Sequence, residues 1–349
     1  MHPFEMTRAL VDMESITENE KQVGKYLLHY LSGLAAGSDG KAEAMTVTPE
    51  RFNVYAEWGR PVVVLSTHMD TVPPFMASRE DEEHIFGRGA CDAKGIIAAM
   101  IAAAEKLIES RARNFGLLFV VGEERNSAGA EVASRSPRGS RYLINGEPTE
   151  SKIALGSKGI LRYEIVAAGK MAHSAYPELG ESAIEKLLDA LGAIRRMPLP
   201  EDPVLGRTTV NIGTISGGRA PNIVPDAAKA ELAIRIVGDG RKIDQALRGA
   251  VGERAEVREI LMLPAMHFAS LDGFPTSVVA FTPDIPVLAP AWGEPFLFGP
   301  GSIHVAHTAE EKISKRELLG AVDTYAQMTR MLLSRAEAGA GSTWRPPER

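Results

Sequence analysis

The chain has 349 residues, 44% of them hydrophobic and 24% charged, with a net charge of −6. That length exceeds what one hydrophobic core usually holds, so two lobes are expected, and the acidic balance argues against a general nucleic-acid or anionic-membrane binder. The single cysteine, Cys91, excludes an intrachain disulfide framework and fits a reducing cytoplasm. No apolar run approaches the ~20 residues that span a bilayer, and the N-terminal segment lacks the basic and apolar stretches of a signal peptide. The expected location is cytoplasmic.

In chain order, residues 17–34 read as an amphipathic helix, with Thr17 as N-cap and Glu20 three residues later. "RPVVVLST" reads as a strand buried on both faces, the mark of a parallel sheet covered by helices. It runs into His68 and Asp70, whose burial costs free energy unless each has a partner. "GRGACDAKGIIAAMIAAAEKLIES" is a glycine-rich turn leading into a helix from about Lys94. "NFGLLFVVGEE" and "SRYLINGEP" are a second and a third buried strand. This alternation predicts an α/β domain with a mainly parallel sheet.

After about residue 160 the pattern changes. "ILRYEIVAAG" alternates, and Ile184, Leu187, Leu188, Leu191 and Ile194 fall at helical spacing. "RTTVNIGTI" and "DAAKAELAIRIV" are strands; in the second, Ala228, Ala230, Leu232, Ile234 and Ile236 share one face while Lys229, Glu231 and Arg235 share the other. A smaller α+β domain is expected over 160–262, inserted into a larger one formed by 1–159 and 263–349. The chain closes with a helix over about 314–334 and a polar tail, "AEAGAGSTWRPPER", that reads as disordered.

His68 and Asp70 follow the first predicted strand, Glu123 and Glu124 the second, and Glu147 the third, while Asp92 lies in the turn before a helix. Ligands of open α/β sheets bind outside the carboxyl ends of the strands, so these residues are expected to converge. Converging carboxylates repel and take up protons unless a cation is present. One histidine with several carboxylates is a ligand set for a divalent metal, and zinc accepts both donor types. Taken singly, "DAKG" also reads as a turn with a helix cap, and "GEE" as a solvated surface.

The stretches "STHMDTVPP", "GRGACDAKG", "GEERNSAGA", "NGEPTE", "MAHSAYPELGESAIEKL", "PNIVPD" and "FGPGSIHVAHTAEE" occur in this order between residues 66 and 311. In this the chain resembles the M20 type of zinc-dependent deacylases and exopeptidases, which includes acetylornithine deacetylase, succinyl-diaminopimelate desuccinylase and carboxypeptidase G. The resemblance implies an α/β catalytic domain with a mainly parallel sheet and an inserted, smaller α+β (ferredoxin-like) lid and dimerisation domain. It implies two zinc ions, with cobalt or manganese as substitutes. His68 and Glu147 match the ligands of one ion, Asp92 the bridge, and Glu124 and His307 the ligands of the other. Asp70 matches a carboxylate that orients His68 through its other ring nitrogen, and Glu123 the general base. His173 matches a histidine that reaches the active site of a dimer mate, so a homodimer through residues 160–262 is implied. Asn222 and Arg235 match contacts to the substrate carboxylate; Lys158 and the backbone near Gly301 are weaker matches.

Two positions depart from the family pattern: Ala93 stands where Met is common, and Ser182 where Asn is common. His304 competes with His307 in the same loop, and the motif favours His307. "FTPDIPVLAP" matches the lid region loosely. The resemblance puts first the hydrolysis of an N-acyl amino acid, as in acetylornithine deacetylase, with a dipeptidase, carboxypeptidase or desuccinylase as alternatives. A non-catalytic binding protein on the same fold would have lost a ligand or the base, and all are present. A dinucleotide-binding enzyme is excluded because Asp92 stands where that fingerprint needs its third glycine. No Gly-x-Ser-x-Gly elbow is present for a serine hydrolase of the α/β type.

Overall fold

The computed structural model describes residues 1–339, so the tail expected from 336 lies outside the described residues from 340 on, while its first two residues, Ala336 and Glu337, are helical and not disordered. The chain divides into two compact units. The larger comprises Met1–Leu155, Phe268–Ser277 and the chain from Pro283 onward; the smaller comprises Gly156–His267 and Val278–Thr282. The stretch "FTPDIPVLAP" is therefore not one piece, because its first residues go with the smaller unit and the rest with the larger.

The larger unit begins with α1 (Pro3–Val11), α2 (Lys21–Ala36), β1 (Lys41–Thr48), β2 (Arg51–Trp58), β3 (Val63–His68) and α3 (Lys94–Glu109). It continues with β4 (Phe115–Val120), α4 (Ala128–Ser134), β5 (Tyr142–Asn145) and β6 (Ile153–Ser157), within which the chain passes to the smaller unit. The smaller unit contains β7 (Gly159–Ala168), α5 (Ala183–Arg195), β8 (Thr209–Gly217), β9 (Ala227–Ile236), α6 (Gly240–Val251) and β10 (Glu256–Leu263). On its return the chain adds α7 (Ile285–Trp292), β11 (Glu294–Leu297) and α8 (Lys315–Glu337) to the larger unit.

Strands of the larger unit follow the order β1-β2-β4-β3-β5-β11-β6. The parallel character expected from the apolar runs belongs to the four central strands, β4, β3, β5 and β11. The β1–β2 hairpin and β6 flank them antiparallel. The hairpin escaped the sequence because β1 is an edge strand with mostly exposed polar positions, and so lacks a continuous apolar run. The central strands β3, β4, β5 and β11 are buried at every position. Each buried Val or Leu there contributes roughly 1.5–3 kcal/mol before chain entropy offsets it. Helix α3, rich in Ala and Ile, is buried on nearly all sides and packs on α8 and α1.

The helix expected over 17–34 begins later. Helix α2 starts at Lys21 with Glu20 as its cap residue, and no side chain closes the cap. Thr17 does not cap it, because its hydroxyl donates to Asp70 Oδ2 at 2.8 Å. Glu20 instead accepts both Arg51 Nε (2.8 Å) and Arg51 Nη2 (2.6 Å) in a buried fork.

The smaller unit is a four-stranded antiparallel sheet in the order β8-β9-β7-β10, with α5 and α6 packed on it. This β-α-β-β-α-β arrangement is ferredoxin-like. The alternation of β9 holds: Ala228, Ala230, Leu232, Ile234 and Ile236 are buried. Ser182 caps α5, its Oγ accepting the Glu185 N–H at 3.2 Å, so the departure from Asn keeps the cap. On α5, Leu187, Leu191 and Ile194 are buried as the spacing predicts, whereas Leu188 is 54% exposed and Ala183 and Ala190 line the core instead. Among the described residues, no helix is long and apolar enough to cross a membrane.

Candidate metal centre

The parallel register aligns the strand exits. His68 pairs with Val120 across β3 and β4, Ser66 with Asn145 across β3 and β5, and Leu297 with Asn145 across β11 and β5. Residues just past each strand therefore emerge at one edge of the sheet. His68 ends β3, Glu123 and Glu124 follow β4, Glu147 follows β5, and the loop carrying His307 follows β11. Asp92 reaches the same edge from the turn before α3, the crossover between β3 and β4. This fourth exit, after "EPFL", was not read from the sequence.

Asp92 is the meeting point. Its Oδ1 lies 2.9 Å from His68 Nε2 and its Oδ2 lies 3.4 Å from His307 Nε2. His307 Nε2 is also 3.0 Å from Glu124 Oε1. One donor atom from each of His68, Asp92 and Glu124 can be chosen so that all lie within 4.8 Å of one another. Glu147 is 4% exposed, and its Oε1 has no hydrogen-bond partner among the described residues. Among the described residues the His304 ring shares none of these contacts; its backbone N–H donates to Ser302 Oγ at 3.4 Å.

The electrostatics fit a missing positive charge. Burial, then the neighbouring Glu147 carboxylate, pushes Glu123 well above the ordinary carboxyl range. Burial also pushes Glu147 well up, with Asp92 and Glu124 adding to it. Burial alone would lower His68, but hydrogen bonds with Asp70 and Asp92 outweigh it and raise the imidazole well above its usual value. His307 is pushed up to about 10 by its hydrogen bonds with Asp92 and Glu124. Two imidazoles and three carboxylates, one of which carries the orphaned buried oxygen, are donors suited to a pair of divalent ions. His307 sits at φ 63°, a left-handed conformation that histidine adopts only where its surroundings hold it.

Asp70 does more than the sequence implied. His68 Nδ1 lies 3.0 Å from the Asp70 backbone oxygen and 3.5 Å from its Oδ1. The shorter bonds of that carboxylate come from Thr17 Oγ1 at 2.8 Å, the Glu123 N–H at 3.1 Å and the Glu124 N–H at 3.2 Å.

The remaining sequence-predicted residues fall in two places. Gly301 is in the larger unit, at φ 82°, where an added Cβ would stand 2.6 Å from Cys91 Sγ; its N–H donates to Glu317 Oε2 at 3.1 Å. His173, Asn222, Arg235 and Lys158 belong to the smaller unit. There the Ser174 N–H donates to the Asn222 carbonyl at 3.0 Å, and His173 bridges Ile223, so the two loops run side by side. The Ala175 N–H donates to His173 Nδ1 at 3.1 Å, which leaves Nε2 as the protonated nitrogen of an exposed ring. Lys158 Nζ donates to the Arg207 carbonyl at 2.5 Å. Arg235 is half-buried on β9, and burial lowers its pKa with no acidic neighbour among the described residues to oppose it.

Sequence reasoning missed Thr17, Arg88, Asp284 and Glu311. Asp284 precedes α7, is 2% exposed and is raised to about 6 by burial. Glu311 stands at the end of the quoted "AHTAEE", and its two consecutive acids were the available signal.

A family model described as "Peptidase dimerisation domain" matches residues 155–258, and one described as "Peptidase family M28" matches residues 53–205. A peptidase M20 domain-containing protein of Schizosaccharomyces pombe is 38% identical over 331 residues, covering 92% of this chain and 82% of the relative. A probable carboxypeptidase of Aspergillus oryzae is 36% identical over 373 residues, covering 94% and 87%. Among solved structures, aminopeptidase PepT from Bacillus cereus superposes with a TM-score of 0.79 at 22% identity, covering 95% of this chain and 98% of that one. A dinuclear metal-binding M20 peptidase from Bacillus subtilis gives 0.70 at 18% identity, covering 95% and 98%. At these identities the structural likenesses establish the fold. With strand exits that converge on histidines and carboxylates, and with relatives that match over nearly the whole chain, the chain belongs to the peptidase M20 family of amide-bond hydrolases.

Proposed function

We propose that this chain is a two-metal exopeptidase that hydrolyses the terminal peptide bond of a dipeptide or short peptide bearing a free C-terminal carboxylate. The observation that carries the chemistry is the Asp92 carboxylate set between His68 and His307, with Glu124 beside it. His68 and Glu147 would hold one ion, Glu124 and His307 the other, and Asp92 both. Divalent ions held there polarise a carbonyl and make a water more acidic; zinc suits these donors, with cobalt or manganese as substitutes.

Glu123 takes the proton of the attacking water on its carboxylate and returns it to the leaving amine nitrogen. Burial is the larger cause of its raised proton affinity and suits a base; the smaller share from Glu147 would be offset once Glu147 holds an ion. Arg235 is half-buried without an acid partner, which suits a guanidinium that receives the substrate carboxylate as a fork. Asn222 and the Gly301 backbone belong to the same recognition in this proposal, with Lys158 as a weaker candidate. His173 Nε2–H is a donor for the developing oxyanion, supplied by a second copy paired through residues 160–262, in which the Ser182-capped α5 lies.

The choice of peptide over N-acyl amino acid follows the relatives, several of which are described as probable carboxypeptidases. Acetylornithine-type deacetylation stands second, favoured by "GEPTE" and "FGPGSIHVAHTAEE". The experiment is amine release by purified, zinc-loaded protein from dipeptides, tripeptides, C-terminally amidated peptides, and N-acetyl and N-succinyl amino acids. Fastest turnover on free peptides supports the proposal; fastest turnover on an N-acyl amino acid transfers it to the deacylase.

A further inference from the structure

Glu311 holds the turn that presents Asp92. It is 1% exposed, and its Oε1 accepts three backbone N–H groups: Gly89 at 2.8 Å, Cys91 at 3.2 Å and Asp92 at 3.2 Å. Its Oε2 accepts Arg88 Nη1 at 2.5 Å, and Arg88 is itself 2% exposed. The Gly87 N–H donates to the Glu311 carbonyl at 3.1 Å, so residue 311 grips the turn from Gly87 to Asp92 with both backbone and side chain.

Successive N–H groups that converge on one point form a nest for an anion, and here the anion is built into the chain. A buried ion pair is a poor device for stability alone, because desolvating both charges offsets their attraction. Glu311 lies four residues after His307, whose Nε2 is 3.4 Å from Asp92 Oδ2. The same carboxylate therefore joins the backbone that carries Asp92 to the loop that carries His307. The other side of that loop is secured separately, by the Gly301 N–H on Glu317.

We propose that Glu311, neutralised by Arg88, is a positioning residue that sets the Asp92 carboxylate against His307 and so decides whether the second metal, on Glu124 and His307, is held tightly. The proposal rests on the two-metal reading above. Its effect runs through the orientation of the acceptor oxygen and not through the net charge.

The test strips the full-length protein with a chelator and titrates it with cobalt(II), read by equilibrium dialysis and d–d absorption. Glu311→Asp keeps the charge but withdraws the oxygen from the nest. The Arg88→Met/Glu311→Gln pair removes both charges but keeps a carbonyl oxygen for the three N–H groups. With far-UV circular dichroism unchanged, Glu311→Asp is expected to bind the second cobalt about tenfold or more weakly, with a shifted absorption band. The Met/Gln pair is expected to bind both cobalt ions as the wild type does. A Glu311→Asp protein with wild-type affinity and spectrum overturns the proposal. So does a folded Met/Gln pair that loses the second cobalt, and this arm decides alone if Glu311→Asp does not fold. A wild-type protein that takes up fewer than two cobalt ions overturns the two-metal reading itself, a separate outcome.

Discussion

Glu123 donates its backbone N–H to the Asp70 carboxylate at 3.1 Å, and Glu124 does the same at 3.2 Å. One buried carboxylate thus fixes the proposed base, a proposed ligand and, through a 3.5 Å approach to Nδ1, the ring of His68. Asp70→Asn replaces one acceptor oxygen with a donor that faces either the Glu123 N–H or both the Glu124 N–H and the Thr17 hydroxyl. The expected result is a loss of about 10–100-fold in metal affinity and activity together, read by metal titration and by kcat/KM. Thr17→Val removes the hydroxyl bond to Asp70 and is expected to cost about 1 kcal/mol of stability, read as a lower urea midpoint with an unchanged m-value.

Glu123 and Glu124 are adjacent in sequence but separate in role. Glu124 meets His307 at 3.0 Å, whereas among the described residues the Glu123 carboxylate touches no other side chain by hydrogen bond. Glu123→Ala is expected to lower kcat by on the order of 10²–10⁴-fold while elemental analysis still finds the wild-type metal content. Loss of metal would show that base and ligand have been exchanged.

Metal uptake is expected to release protons. His307, held up to about 10 by Asp92 and Glu124, carries a proton at neutral pH in the metal-free protein. Metal needs the neutral imidazole, so that proton must leave. The buried Glu147 carboxyl, raised by burial, adds to the release. Because protons compete with metal at both groups, apparent metal affinity rises with pH across about 6 to 8. Calorimetric titration in two buffers of different ionisation enthalpy measures the protons released. An affinity flat across this window would contradict the assignment of His307.

Arg235 separates function from stability. Its guanidinium is partly desolvated and, among the described residues, has no acid partner to compensate it. Arg235→Met is expected to leave the melting temperature unchanged or raised, since a desolvated charge is removed. The same change is expected to raise KM by about tenfold or more for peptides with a free carboxylate, the loss of a hydrogen bond to a charged group. Amidated peptides should not distinguish variant from wild type. An equal loss on both substrates would place Arg235 outside the carboxylate pocket.

Three of the central strands, α3, α8 and the alternating β9 were legible in the sequence because each encodes its burial locally: apolar runs for β3, β4 and β5, and period-2 alternation for β9. His68, Glu123, Glu124 and Glu147 could be named because they end or closely follow such runs, and Asp92 because it lies in the turn before a helix; His307 was named only through the resemblance to the family. Thr17 could not be understood in this way. A threonine three residues before Glu20 satisfies the local rule for a helix cap, and only the approach of Asp70 takes its hydroxyl elsewhere. Nor could the β1–β2 hairpin, whose polar edge strand is specified by its neighbour rather than by its own periodicity.

The sequence by itself determined which residues can carry the chemistry, because donor type and apolar context are local properties. The tertiary structure alone decided how they are held: Asp70 under Glu123, Glu311 under Asp92, and Asp92 between His68 and His307. These contacts join residues far apart in the chain, and their geometry exists only once strand register and helix packing bring the exits to one edge.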